Sequence, residues 1–363
     1  MRRIATIALV IGVVAVVVAV GAFSFSTDDG ASGGGVARDR SSSDDDLTGA
    51  HVPPPGVLPG TLWVVSASPR PGDAVCQLRA IYLTDLTQGP PGLLEHCTLV
   101  DVSRDGRYAV TSNEVARLVL VNLEGRPEVV QDIGLASDVA RGARAVKTAA
   151  LEPDGSRVAW CSSENETTVL GISDGARTLR AGCDPRFHPS GQVATRTLPP
   201  KNDAVLLDGE PLLGEADFRR GLDLTADGEA SLLAYDIGDD GSVATKVRRF
   251  LGQPQPTVQI WNDAESPSHF RFRGLSVSLQ ASGIELSPDA TAVAFGWTAL
   301  LAGVLDVTVD RMVLTRVRGP YSWSPDGNWL AIGEGSEVSI YARGGQAPVY
   351  SLPAAATALR WTE

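Results

Sequence analysis

Apolar and polar residues alternate in short runs along most of the chain, and turn residues break the runs at close intervals. The stretch YSWSPDGNWLAIG, from Tyr321 to Gly333, is the clearest instance. Tyr321 and Trp323 share one face of an extended segment, and Leu330-Ala331-Ile332 forms the apolar centre of the next. A period of two marks a strand with one buried face. Between the runs, proline pre-sets φ, aspartate accepts hydrogen bonds from the turn's own amides, and glycine takes the left-handed position. The stretch predicts a β-hairpin.

The same hairpin recurs. VSRDGRYAV begins at Val102, LEPDGSRVAW at Leu151, FHPSGQVAT at Phe187, LTADGEASLLAY at Leu224, LSPDATAVAF at Leu286 and WSPDGNWLAI at Trp323. The spacing is about 36 to 50 residues, with one longer interval of about 62 between the copies at Leu224 and Leu286. Self-similarity at such a period is the signature of a repeat architecture. A second pair of apolar segments follows each hairpin, as in LVLVNLEGRPEVVQ from Leu118 and AIYLTDLTQGPPGLLEH from Ala80. Two hairpins make a four-stranded antiparallel sheet, and a ring of such sheets is a β-propeller. TLWVVSAS at Thr61 reads as the second strand of a blade that lacks its first, and TALRWTE from Thr357 reads as a first strand without continuation. Joined, they close the ring. The expected fold is therefore an all-β propeller of about seven four-stranded blades over residues 61–363, closed by the C-terminal strand, with six and eight as the neighbouring counts.

The copies resemble the WD40-like PD40 repeats of TolB-type propellers, whose consensus is Ser-Pro-Asp-Gly followed by apolar-Ala-apolar. The resemblance covers nearly all of residues 61–363 and implies the fold. It says little about function, because one repeat serves many unrelated proteins.

The ends add a topology. Arg2-Arg3 precedes an apolar run from Ile4 to Phe23, long enough to cross a bilayer as a helix, with the arginines holding its start in the cytoplasm. The run exceeds the usual apolar core of a signal peptide and is read as an uncleaved anchor over residues 1–23. Cleavage after Ala22 is the alternative, and it gives a secreted protein. Residues 24–60 carry SGGG, SSSDDD and VPPPG, a composition that buries too little apolar area to fold, and form a tether. The expected location is membrane-anchored with an extracytoplasmic domain, periplasmic or at the cell surface. The four cysteines of the exported part fall into two close pairs, Cys76 with Cys97 and Cys161 with Cys183, read as disulfides. A net charge of -12 excludes nucleic acid as a partner.

The candidate chemistry is sparse. Asp105, Asp154, Asp227, Asp289 and Asp326 are read as structural turn residues, because the copies drift as turns do: Ser190 replaces the aspartate, Ala290 the glycine, and Arg104 or Ala226 the proline. Gly171-Ile172-Ser173-Asp174-Gly175 matches the G-x-S-x-G of serine hydrolases, yet falls in the second hairpin of a blade and is read as a turn. Asp236, Asp239, Asp240 and Gly241 form an acidic stretch read as an exposed loop rather than a calcium site, since it lacks the ligand alternation of an EF-hand. Arg248, Arg249, Trp261, Phe270, Arg271 and Arg273 lie in the long interval and are the candidate partner-binding residues, arginine and aromatics being enriched in interface hot spots. No catalytic residue, metal site or cofactor is expected. The expected function is that of a non-catalytic, TolB-like scaffold that binds other envelope or membrane proteins or a ligand. The alternative is a propeller enzyme of lyase, lactonase or glycosidase type acting on a cell-envelope substrate in the central funnel.

Overall fold

The structure, a computed structural model, describes residues 58–67, 76–94, 98–112, 117–137, 148–163, 165–198, 204–221, 230–249, 256–261, 268–271, 284–296, 301–306, 311–317 and 319–363. The apolar run Ile4–Phe23, Cys97, Asp227 and Arg273 lie outside the described residues. Among the described residues no helix is long and apolar enough to cross a membrane.

Seven antiparallel sheets make the propeller. Blade one takes its first strand, Ala358–Thr362, from the end of the chain and continues with Thr61–Ala67 and Cys76–Tyr82. Its outer strand is split into Thr87–Gln88 and Gly92–Leu94 by Gly89-Pro90-Pro91, where proline has no amide hydrogen to give the ladder. Blade two is Thr98–Val102, Tyr108–Ser112, Arg117–Asn122 and Glu128–Leu135. Blade three is Ala149–Leu151, Arg157–Ser163, Glu166–Gly171 and Arg177–Ala181. Blade four is Cys183–Phe187, Val193–Arg196, Val205–Leu207 and Glu210–Leu213. Blade five is Ala230–Ile237, Val243–Arg249, Pro256–Trp261 and Ser268–Arg271. Blade six is Ile284–Leu286, Ala292–Gly296, Leu301–Asp306 and Arg311–Val317. Blade seven is Tyr321–Trp323, Trp329–Glu334, Glu337–Ala342 and Pro348–Leu352.

The ring closes as the orphan half-blades at the two ends of the pattern require, with Thr61 opposite Thr362 and Val65 opposite Ala358. Leu58 is buried in the same core, and the Trp361 indole donates to the Pro59 carbonyl at 2.7 Å, so the propeller takes in the last residues assigned to the tether.

The repeat register needs one correction. The first hairpin of blade five turns at Gly238–Ser242, inside the acidic stretch read as an exposed loop, and not at the copy that starts at Leu224. There the Gly241 amide bonds the Gly238 carbonyl and the Ser242 amide bonds Asp240, the pattern that Gly327, Ser324, Asn328 and Asp326 make in blade seven. Asp240 is thus the turn aspartate of blade five. With Ile237 in place of Leu224, the long interval becomes 49 residues, within the range of the others. The G-x-S-x-G stretch does lie in the second hairpin of blade three, with the Ala176 amide bonding Asp174.

A short helix, Glu215–Gly221, stands between blades four and five and is absent from the all-β expectation. Its acidic first turn and basic last turn suit the helix dipole. Phe218 is buried beneath it, edge-on to the Trp261 ring at 6.4 Å.

Apolar side chains fill the spaces between blades rather than a single centre. Trp329, Ala331 and Ile340 of blade seven meet Leu62, Val64 and Trp361 of blade one, and Leu118, Leu120 and Ile133 of blade two meet Trp160 and Leu170 of blade three. The boundary between blades three and four is built from Ala159, Val169 and Val193 with the half-buried Phe187 against them, and from Leu198 against Cys161 and Cys183. It also holds a disulfide. Cys161, on the second strand of blade three, is bonded to Cys183, on the first strand of blade four, so the bond joins two blades. Cys76, on the third strand of blade one, is disulfide-bonded as well.

Replacing Cys161 and Cys183 by alanine removes a 22-residue link and is expected to cost about 3 kcal/mol by the chain-entropy relation. Hydrogen exchange should quicken first in Arg157–Ser163 and Cys183–Phe187. Acceleration spread evenly over all seven blades would show that the bond does not hold this boundary in particular.

Candidate functional site: the central cavity

The first strand of every blade faces the axis. One position on it, four residues ahead of the turn aspartate or its replacement in six blades, is occupied in chain order by Asp101, Ala150, Arg186, Asp236, Glu285 and Ser322. Arg360 holds the equivalent place on the closing strand of blade one. All but Ala150 line a cavity of about 240 Å³.

These residues pass a contact from blade to blade. Asp101 Oδ2 accepts the Leu151 amide of blade three at 2.8 Å, and Asp236 Oδ2 accepts the Leu286 amide of blade six at 2.8 Å. Glu285 Oε1 accepts the Trp323 amide of blade seven at 3.3 Å, and Ser322 Oγ accepts the Trp361 amide of blade one at 3.0 Å. An arginine cannot accept, so at the remaining places the direction reverses. Arg360 donates towards Asp101 at 3.3 Å and Glu285 at 3.4 Å, and Arg186 donates to Asp236 at 3.1 Å. Among the described residues, only the step from blade three to blade four lacks such a side chain, because Ala150 has nothing to offer. The disulfide and an Arg157 hydrogen bond to the Gly191 carbonyl cross there instead.

Behind Arg186 the charges continue inward. Asp184 is fully buried, at φ +61°, and sits 2.7 Å from Arg186 and 3.1 Å from Arg196. The left-handed conformation costs energy for a residue with a Cβ and persists only where the surroundings enforce it. Here two guanidinium groups hold its carboxylate, and the Tyr235 hydroxyl donates to its carbonyl. Burial alone would lower the Arg186 pKa, but the Asp184 and Asp236 carboxylates outweigh it and hold the group charged. Arg360 is likewise raised against its burial by Glu285 and Asp101. Burial, reinforced by Asp184, pushes the Tyr235 phenol well above its ordinary value.

The turn aspartates hold their own hairpins, and Asp289 also pairs with Arg343 of blade seven. Asp105 accepts from the Ser103 hydroxyl at 2.6 Å and the Arg107 amide at 3.1 Å, and Asp289 from the Ser287 hydroxyl at 2.6 Å and the Thr291 amide at 3.2 Å. Asp154 accepts the Ser156 amide, and Asp326 the Ser324 hydroxyl and Asn328 amide. In three of these turns a buried serine, Ser103, Ser287 or Ser324, closes the loop by accepting the first amide of the next strand, as Ser324 does from Trp329 at 2.9 Å.

The six candidate partner-binding residues all belong to blade five or the segment after it. Trp261 is buried, its indole donating to Thr245 Oγ1 at 3.0 Å, and forms part of the core rather than an exposed surface. Arg248 and Arg249 end the second strand, and Phe270 and Arg271 end the fourth. His188 occupies the blade-four turn, bonded through Nδ1 to Ser190 Oγ at 2.8 Å. Among the described residues no group of three or more His, Cys, Asp and Glu side chains is placed to hold a metal ion. No protein-family model and no curated protein sequence matches the chain.

Two outcomes follow from this geometry. Asp236→Ala removes one of the two carboxylates on Arg186 and the acceptor of the Leu286 amide and should cost about 2 to 3 kcal/mol, whereas Ser322→Ala should cost about 1 kcal/mol. Urea denaturation of the two variants reads the difference. The second concerns pH. Burial works to raise Asp105 and Asp289, but the Ser103 and Ser287 hydroxyls and the turn amides prevail and hold both below the ordinary value. A depressed carboxylate stabilises the fold fully above its unfolded value of about 4, and that contribution is lost as pH falls through the folded value. The melting temperature of the wild type should therefore drop between about pH 5 and pH 3 more steeply than that of Asp105→Asn/Asp289→Asn.

Proposed function

We propose that this propeller is a non-catalytic binding or assembly module of the cell envelope, carried by the Ile4–Phe23 membrane segment and akin to TolB-type propellers. The observation that carries this reading is the use to which the cavity charges are put. Asp101, Asp236, Glu285, Arg186 and Arg360 are each engaged with another blade. A general acid or base must instead present a free position to substrate within hydrogen-bond reach. The disulfide suggests an oxidising compartment and supports an extracytoplasmic location. The exposed outer rim and the turn face remain as the surfaces on which a partner binds.

Crosslinking in the native envelope, followed by reconstitution of purified components, tests the reading. A partner recovered in independent preparations should bind the purified propeller, and Glu285→Gln should retain that binding. Turnover of an envelope sugar or ester by the purified chain, lost in a folded Glu285→Gln variant, would replace this reading with the enzyme.

A further inference from the structure

The residue just before the turn aspartate, or its replacement, is proline in four blades: Pro153, Pro189, Pro288 and Pro325. Blades two and five carry Arg104 and Asp239 at that place, Glu363 stands three residues after Arg360 as they stand after Asp101 and Asp236, and these three meet. The Arg104 guanidinium donates to the Asp239 carboxylate and to Glu363 Oε1 at 2.7 Å, and reaches the Pro325 carbonyl at 3.4 Å. Its acceptors come from blades five, one and seven, while Arg104 belongs to blade two. The side chain therefore lies across the mouth of the central cavity, and both Arg104 and Asp239 line it.

We propose that Arg104 is a lid on this cavity and the internal occupant of a cation site, displaced when a partner inserts a lysine or arginine side chain. The inference deepens the binding-module reading and rests on it. A guanidinium already fills the site, held by three acceptors from blades other than its own. Its ion pairs are exposed, with side-chain accessibilities of 37% for Arg104, 46% for Asp239 and 61% for Glu363. Exposed pairs of this kind contribute little, so giving them up costs the fold little. Once Arg104 swings out, the Asp239 and Glu363 carboxylates lose the guanidinium that pairs them, so the guest that replaces it is cationic.

Arg104→Pro provides the test, because Pro153, Pro288 and Pro325 precede the aspartate in turns with the same hydrogen bonds. Agmatine, a free alkyl guanidinium, is titrated calorimetrically into wild type, Arg104→Pro and Arg104→Pro/Asp239→Asn at low ionic strength. Arg104→Pro should bind it at least ~10-fold more tightly than wild type, the advantage of a vacated site over an occupied one, and the added Asp239→Asn should abolish the gain. Equal affinity in wild type and Arg104→Pro overturns the lid, as does a double variant that binds as tightly as the single one. If Arg104→Pro fails to fold, Arg104→Gln takes its place in the titration, with the same gain expected and the same equality overturning the lid. A captured envelope partner alongside equal agmatine affinities would sink the lid and leave the binding module standing.

Discussion

A side chain on the innermost strand of one blade that satisfies the backbone of the next is the contact on which this ring depends. A propeller has no apolar centre: its first strands converge on a polar axis, where their amides still need partners. Asp101, Asp236, Glu285 and Ser322 supply those partners from the neighbouring blade. Apolar packing between sheets gives the bulk of the stability but is non-directional. The polar contacts fix the order and the angular step. The same contacts leave the cavity with charges that are largely matched, which is why a wall lined by so many carboxylates and guanidinium groups is a poor candidate for acid–base chemistry.

Much of this architecture is legible in the chain, because each hairpin repeats one mechanical problem with one solution. The turn of Ser324–Gly327 recurs with single replacements where most first strands turn into a second, and the half-blades at Thr61 and Ala358 announce their own pairing. Blade five departs from the expected register because its turn, Gly238–Ser242, has neither the proline nor the leading serine of Ser324–Gly327, while the copy at Leu224 imitates both sides of the motif. The helix Glu215–Gly221 spans only two turns, too short to impose a recognisable period.

The inner ring is hidden for a different reason. Its members occupy one register position yet have different chemistry, because acceptors and donors are mixed around the circle and no single letter repeats. Asp101 and Asp236 accept; Arg186 and Arg360 donate. The signal is present as a column of polar residues four places ahead of the turn, interrupted only by Ala150. At that interruption a covalent bond takes over. The missing polar contact and the disulfide are thus two aspects of one boundary.

The closing strand has a bearing on how the protein is made. Trp361 receives the contact from Ser322, Arg360 reaches Asp101 and Glu285, and Thr362 pairs with Thr61. A nascent chain in which blades two to seven are already formed still exposes the apolar flanks of Leu62, Val64 and Trp329 until Trp361 leaves the ribosome. Ring closure therefore waits until the strand Ala358–Thr362 has been made. Any ribosome stalled or protease cut before residue 358 leaves a sticky, open horseshoe, a species that chaperones and proteases recognise by its exposed apolar surface.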